Sequence, residues 1–342
     1  IALGDIFGLG GSSVISRMFG KKQDDDAKRM SVFCFYGAIL CGILVMIVMM
    51  LFRSQILKVL GADASTYKYA SQYYTGIVLG APLIILSFTP SNQLRTEGFA
   101  NPAMIGSVLG AVINIILDPI FISVLGLGAG GAATASVIGY IFTDAYFTWF
   151  LLKRSKKLSV NPKGFYIKAD ELKPIFAIGI PASITNLMQS FGIMMTNRFL
   201  LPYGNEKVAA MGIVMKVNMI AVLVLVGFAF GGQPLIGYNY GANNKKQLKD
   251  ILTFCYKFEC GLAAVLAVIL CVAAKPLIQI FMDQPEIISA GVSMLRSQQL
   301  GMIFIAIVLV TTCTFQSAGK ASGAFWLSVS RQGLIFAIVI FA

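Results

Sequence analysis

The chain has 342 residues, of which 57% are hydrophobic and 12% are charged, and its formal net charge is +12. Ordinary soluble domains carry about 25% charged residues, so this composition excludes a soluble protein and indicates a polytopic membrane protein. The basic residues lie in alternate loops, which is typical of membrane topology and does not indicate a nucleic-acid partner. The chain contains no histidine, which excludes histidine metal sites and histidine proton relays.

Ten apolar stretches of near-membrane length follow one another along the chain. The chain begins at Ile1 and ends at Ala342, each inside an apolar run, so we expect the first and last spans to be incomplete. The predicted spans cover about 1–19, 31–52, 70–93, 102–125, a stretch ending near 152, 175–200, 208–238, 250–273, 288–315 and 324–342.

The polar stretch at 153–174 is the longest in the chain and carries seven lysine or arginine residues. We interpret it as a linker between an N-lobe at 1–152 and a C-lobe at 175–342. Basic loops face the cytoplasm, and the loops that alternate with them face outside. The basic set is 20–30, 153–173 and 243–249, and the set without lysine or arginine is 61–65, 126–130 and 202–206.

Two segments recur at one spacing. Phe7 to Gly11 is matched by Phe228 to Gly232, and Gly98 is matched by Gly319, in each case 221 residues later. Chance recurrence is the alternative in a chain with 34 glycines. An even number of spans separates the matched positions, so duplication would give two lobes in the same orientation, the parallel-repeat design of secondary transporters.

Asp118 is the one ionisable residue of the apolar run from Pro102 to Leu125. A carboxylate in hydrocarbon is costly and marks a functional site unless it reaches interfacial water at a helix end, which is the alternative here. Asn114 precedes it by four residues and shares its helix face. Such a pair can hold a small cation such as Na⁺, or hold the carboxylate while it gains and loses a proton.

Four motifs together resemble the MATE (multidrug and toxic compound extrusion) family, most closely its DinF/MepA-like branch, over essentially the whole chain. They are Gly10 to Arg17, Arg95 to Pro102, Asn114 to Pro119 and Gly232 to Gly241. The resemblance implies an all-α fold of two pseudosymmetric six-helix lobes, with helices 2–6 in the N-lobe, helices 7–11 in the C-lobe, and helices 1 and 12 absent from this sequence. It also implies export of amphipathic, often cationic drugs against inward flow of H⁺ or Na⁺.

In that branch the cation site uses an asparagine and an aspartate on helix 5, which match Asn114 and Asp118. A hydroxyl residue on helix 6 takes part, and its nearest match is Ser136, with Thr134 close by. The branch also uses an aspartate on helix 1, which this sequence does not contain. Another branch uses C-lobe carboxylates on helices 7 and 10. The runs 175–200 and 300–315 lack them, which favours coupling in the N-lobe.

Flexible thioether side chains suit a pocket that accepts many drugs, although methionine is also ordinary packing filler. Polar amides beside them could orient a ligand or bond helix to helix. The candidate substrate-binding residues are Asn186, Met188, Gln189, Met195, Met211, Met215 and Met219.

Three further acidic features have alternative interpretations. Asp144 precedes Trp149 and Lys153, so we expect it near the lipid headgroups, with a pathway role as the alternative. Glu259 lies inside an apolar run, which favours a functional site, and the alternative is a position toward the cytoplasmic end with Lys257 nearby. Asp24 to Asp26 could hold a diphosphate-bound magnesium ion in a prenyltransferase, but no second cluster completes such a clamp, and a solvated loop is favoured.

The sequence therefore predicts a monomeric multi-pass transporter of the cell membrane, not an enzyme, with no cofactor and no nucleic-acid partner. Its partners would be small-molecule drugs or toxins and the lipid bilayer. The alternative function is a lipid-linked saccharide flippase of the same superfamily. The choice between H⁺ and Na⁺ as coupling ion stays open.

Overall fold

The computed structural model describes residues 2–63, 65–164 and 169–330, and all regular secondary structure in these ranges is helical. The all-α prediction is confirmed. The chain divides into two compact units, residues 1–183 and 184–342, which are described separately below. The division falls inside a helix and after the predicted start of the second lobe at 175, because Ile175, Gly179 and Ser183 pack against the first helix of unit 1.

Unit 1 consists of seven helices and the first part of an eighth. Helix α1 packs against α2 and α5, α2 packs against α5, and α7 packs against α4, α5 and α6. The core contains Ile15, Leu94 and Phe147, which are buried almost completely. The helices are α1 (Gly4–Gly20), α2 (Asp24–Leu51), α3 (Arg53–Val59), α4 (Tyr67–Leu79), α5 (Ala81–Glu97), α6 (Ala100–Pro119), α7 (Gly128–Lys153) and α8 (Ala169–Leu200).

Unit 2 is arranged around one long helix, α9, which packs against α10, α12 and α13. Val214, Leu225 and Leu295 lie in its buried core. After the second part of α8, the helices of unit 2 are α9 (Asn205–Gly241), α10 (Lys245–Val272), α11 (Ala274–Gln279), α12 (Pro285–Gln299), α13 (Met302–Ser317) and α14 (Ala321–Val329).

Several helices have the length and composition to cross a membrane. Within the described residues there are five, or seven if α4 with α5 and α12 with α13 each form one bent span. The pairs bend by 49° and 47°, respectively. The tenth predicted span, at about 324–342, lies largely outside the described residues.

Several helix boundaries of the two units lie 221 positions apart. Helix α2 starts at Asp24 and ends at Leu51, and α10 starts at Lys245 and ends at Val272. The starts of α3, α5 and α6 have counterparts at the starts of α11, α13 and α14. The backbone repeats too, since φ is positive at Lys22 and Asn243. Gly98 and Gly319 likewise share positive φ, 97° and 75°. Agreement in local backbone conformation at one spacing strongly supports duplication over chance recurrence of glycines.

One contact is repeated at the level of side chains. A methyl group added at Gly11 would lie 2.5 Å from Sγ of Cys34, and one added at Gly232 would lie 3.1 Å from Sγ of Cys255. Both cysteines are buried. The first helix of each repeat therefore approaches the second through a glycine opposite a cysteine.

The first part of the linker folds against one end of unit 1. The carboxylate of Glu97, at the end of α5, accepts hydrogen bonds from the backbone amides of Lys156 and Lys157 at 3.0 Å and from the hydroxyl of Ser155 at 2.5 Å. The guanidinium of Arg29 pairs with Glu171 at 2.6 Å. The acidic first turn of α2, Asp24 to Asp26, lies at the same end of unit 1.

Asp24 pairs with Lys157 at 3.2 Å, and Asp26 pairs with Arg29 at 3.0 Å. These are partly exposed ion pairs at a helix N-terminus, where acidic side chains are stabilising. Asp24 and Asp26 thus have basic partners, but the three aspartates form the first turn of α2 and not the loop that the sequence predicts.

Candidate functional site

Two glycines allow α6 and α7 to lie unusually close together. A methyl group added at Gly139 would lie 2.6 Å from the carbonyl oxygen of Gly110 and 3.3 Å from Cβ of Asn114. The hydroxyl of Thr143 donates to the carbonyl oxygens of Gly106 and Gly139, at 3.2 and 3.1 Å. Small residues at a helix interface permit this close approach in membranes. The approach brings the polar side chains of α6 against those of α7.

The amide of Asn114 lies between a carboxylate and a hydroxyl group. Its Nδ2 donates to Oδ1 of Asp118 at 3.4 Å and to Oγ of Ser136 at 3.3 Å. All three side chains are half-buried. The contact with Asp118 is the one-turn pairing that the sequence predicts, and the contact with Ser136 crosses from α6 to α7. Both distances are long, so the cluster is held loosely.

Asp118 lies at the point where the backbone leaves regular α-helical geometry. Residues Ile120–Val124 continue α6 as a π-helical turn, and the amide of Leu125 donates to the carbonyl oxygen of Ile120 at 2.9 Å. Such wide turns inside helices are frequent at functional sites. Pro119 lacks an N–H and starts the irregular turn immediately after the carboxylate.

This cluster has the chemistry to take up a small cation. Carboxylate, amide and hydroxyl oxygens are ligands for hard cations. A proton could be carried on Oδ2 of Asp118 while Oδ1 keeps its bond from Asn114. Na⁺ would instead require the Asn114 amide to turn, so that its oxygen and not its nitrogen faces the ion.

Thr134, the other hydroxyl candidate, has a different environment. Its side chain is exposed, and its hydroxyl donates to the carbonyl oxygen of Gly130 at 2.9 Å, within α7. Of the two hydroxyl candidates on α7, Ser136 therefore contacts Asn114, whereas Thr134 bonds to its own helix.

The candidate substrate-binding residues lie on two helices of unit 2. Asn186, Met188 and Met195 are half-buried on α8, where Gln189 is exposed. On α9, Met211 and Met215 are half-buried and Met219 is 60% exposed. Met211 packs against the core of the unit and accepts a hydrogen bond from Gln298 at 3.6 Å. That contact is typical of a packing residue, whereas the side chain of Met219 is exposed and free to contact a ligand.

One carboxylate is more enclosed than the sequence indicates. Asp144 is expected near the headgroups, with a pathway role as the alternative, and it is 5% exposed on the inward face of α7. The signal that points to this environment is a polar row at helical spacing, Ser136, Tyr140 and Asp144. Glu259, on α10 of unit 2, is buried completely.

Comparison with known proteins identifies relatives along the whole chain. A family model described as MatE matches residues 2–120 and 181–341. The multidrug export protein MepA of Staphylococcus aureus (strain MSSA476) is 31% identical over 341 residues, which cover 100% of this chain and 75% of that protein. MepA of Staphylococcus haemolyticus (strain JCSC1435) is 30% identical with the same coverage.

Solved structures show the same similarity. An outward-facing multidrug resistance MATE family transporter of the MOP superfamily matches with a TM-score of 0.92 and 26% identity, over 97% of this chain and 74% of that one. A MOP superfamily transporter from Pyrococcus furiosus matches with a TM-score of 0.94 and 25% identity, over 100% of this chain and 77% of that one. Its structure is described as having a binding pocket of reverse polarity that suggests a different function.

Proposed function

Since this chain belongs to the MatE family, a family of multi-pass membrane transporters, we propose that it is an antiporter that exports drugs or toxins in exchange for H⁺ or Na⁺. Its substrates are amphipathic and often cationic, and it moves them across the cell membrane by alternating access. Relatives named as multidrug export proteins support the drug class.

The observation that carries the coupling proposal is the Asn114 amide held between Asp118 and Ser136. Asp118 is the only acidic residue of α6, and it is half-buried two turns beyond Gly110, where α6 approaches α7 closely. An incompletely solvated carboxylate is stabilised when it is neutralised, so a cation that binds there favours the conformation with the most complete ligand set.

The exchange follows from linkage between two ligands. If the drug favours one conformation and the ion at Asp118 favours the other, each weakens the binding of the other by the same factor. A gradient of the ion then drives export of the drug. The ion is a transported substrate in this scheme, and no further cofactor is required.

Dye transport tests the proposal directly. The purified protein is placed in liposomes in inverted orientation, with H⁺ or Na⁺ concentrated in the lumen. We expect a cationic fluorescent dye to accumulate in the lumen under one of the two gradients and not without a gradient. No accumulation under either gradient would contradict antiport.

A second arm of the experiment addresses the reverse-polarity pocket described for the Pyrococcus furiosus relative. Movement of a fluorescent lipid-linked saccharide between leaflets, with no dye transport, would identify a flippase instead.

A further inference from the structure

Asp144 is the least exposed carboxylate among the residues of unit 1 whose burial the structure describes. Its side chain is 5% exposed, and neither of its carboxyl oxygens has a hydrogen-bond partner among the described residues. It lies nine residues before the end of α7 at Lys153, which is about 14 Å along a helix axis. Trp149, an exposed residue, lies between them. Asp144 is therefore inside the helix bundle, more than two helical turns before the basic end of α7.

The elements packed against α7 supply no cation for this carboxylate. Helix α6 carries only Asp118, toward its other end, and the π-helical turn after it carries no titratable group. At the end of α5, which lies beside the end of α7, Arg95 donates to Ser91 at 3.3 Å, and Glu97 holds the linker. The titratable residues of α4 are Tyr67, Lys68, Tyr69, Tyr73 and Tyr74, and those of α7 besides Asp144 are Tyr140, Tyr146 and Lys153.

Of these groups, Tyr140 lies one turn before Asp144 and within electrostatic range of it, and also within range of Tyr73 on α4. No ion pair or hydrogen bond to Asp144 occurs in the described part of the chain. An ionised carboxylate without a partner in such surroundings costs several kcal/mol, and the group avoids that cost by binding a proton.

The position of Asp144 links it to the candidate coupling site. Ser136, Tyr140 and Asp144 follow one another at intervals of four residues and so share one face of α7. Ser136 contacts Asn114. Eight residues separate Ser136 from Asp144, about 12 Å along the axis, and the hydroxyl of Tyr140 lies on the same row. A phenol hydroxyl can donate and accept, so it can pass a proton between neighbours.

We propose that Asp144 is a second proton-binding carboxylate of unit 1, connected to the Asp118 site through the hydroxyl of Tyr140. In each transfer the O–H bond of the Asp144 carboxyl group breaks as an O–H bond forms on the accepting oxygen. Asp144 is left as a carboxylate, and no electron changes hands. The proposal rests on the proposed antiport, because only an ion-coupled cycle loads and unloads this proton.

Infrared difference spectroscopy of the protein in lipid tests protonation without requiring transport. We expect the wild type to show the carbonyl stretch of a protonated carboxyl group, lost in Asp144→Asn and kept in Asp118→Asn and Tyr140→Phe. Addition of a cationic drug should diminish the band in the wild type and more slowly in Tyr140→Phe. Identical spectra for the wild type and Asp144→Asn at every pH would overturn the proposal.

Transport in proteoliposomes separates a proton site from a structural acid. Under a H⁺ gradient, export by Asp144→Asn should fall about ten-fold or more, and Asp144→Glu should recover part of it. Export by Asp144→Asn at the wild-type rate would overturn the proposal. If Asp144→Asn fails to fold, the infrared band of the wild type is compared with that of Asp144→Glu, which should shift it. A band that is unchanged in Asp144→Glu and equally drug-sensitive in Tyr140→Phe would overturn the proposal. A wild type that shows a drug-sensitive band but moves no dye would contradict the antiport and support the proton site.

Discussion

The two units share a framework of helices but carry different charged residues on it. Helices α2 and α10 have the same length and position within the repeat, and each buries a cysteine against a glycine of the preceding helix. Yet Glu259 of α10 has Ala38 of α2 as its counterpart, both completely buried. Glu97, which binds the linker, has Ala318 as its counterpart.

The carboxylates of the two units also differ in their neighbours. Asp118 is hydrogen-bonded to an amide that reaches a hydroxyl group on the next helix. Glu259 lies within electrostatic range of two thiols, Cys255 and Cys313, and its oxygens have no hydrogen-bond partner in the described ranges. Thiols are weak hydrogen-bonding groups. The packing of the helices is thus repeated between the units, whereas their carboxylates and the neighbours of those carboxylates are not.

The largest effect is expected when each carboxylate is neutralised in turn. Asp118→Asn keeps the shape of the side chain and removes its charge, so ion-driven dye export should fall to the level of protein-free vesicles. Glu259→Gln should export at nearly the wild-type rate, because Glu259 lies on α10 of unit 2 and has no part in the hydrogen bonds that join Asp118, Asn114 and Ser136. Equilibrium dye binding confirms that both variants are folded. The reverse ranking would transfer the coupling site to unit 2.

A smaller effect is expected from the groups that support Asp118. Asn114→Ala removes a hydrogen bond to a charged group, worth about 1.5 kcal/mol at this long distance, and should weaken ion affinity about ten-fold. Ser136→Ala should cost about 1 kcal/mol, or about five-fold, since water can replace a hydroxyl. Thr134→Ala, on the same helix, is the matched control and should leave ion affinity unchanged. The ion concentration that gives half-maximal export measures each effect.

Replacing the glycine of each glycine–cysteine contact by alanine should lower the free energy of unfolding by different amounts in the two units. Gly11→Ala forces a methyl group against the buried Sγ of Cys34 and should cost about 1–3 kcal/mol of unfolding free energy. Gly232→Ala meets Cys255 at 3.1 Å and should be nearly neutral, because alanine also favours the helix. Unfolding in mixed micelles measures both variants. Equal destabilisation would show that the two contacts are equally tight.

The smallest effect concerns a loop of unit 1. The hydroxyl and amide groups of Ser65 and Thr66 donate to Oδ1 of Asp63, and these bonds lower the pKa of its carboxyl group to about 2, with the Ser65 side chain as the largest cause. The stabilisation is present above the unfolded pKa of about 3.9 and is lost as the pH falls through about 2.

Changes of pH near neutrality should therefore have no effect on this loop. Asp63→Asn should change the free energy of unfolding only slightly, since the side chain is fully exposed. Carbon NMR of the labelled carboxyl group measures the titration. The counterpart in unit 2 is Gln284, which cannot titrate. A carboxyl signal with the lowered pKa that persists in Asp63→Asn would contradict the assignment to Asp63.

Composition and short sequence patterns were sufficient to predict that this is a helical membrane protein with an internal repeat. The membrane class follows from composition, and the spacing of 221 follows from glycine pairs and the turns between helices. Both are visible in sequence because helix ends depend on residues close by in the chain. The pairing of Asn114 with Asp118 belongs to the same group, since one helical turn separates them.

What the sequence alone determined is therefore which residues can share a helix face, where helices break and which residues are costly in hydrocarbon. Only the tertiary structure decided that Ser136 and not Thr134 meets Asn114, because that choice depends on the close approach of Gly110 and Gly139 across two helices. It also decided that Asp144 is enclosed, since burial depends on which face of α7 packs against α4, α5 and α6. Contacts between helices arise from residues far apart in the chain, and no spacing within one helix specifies them.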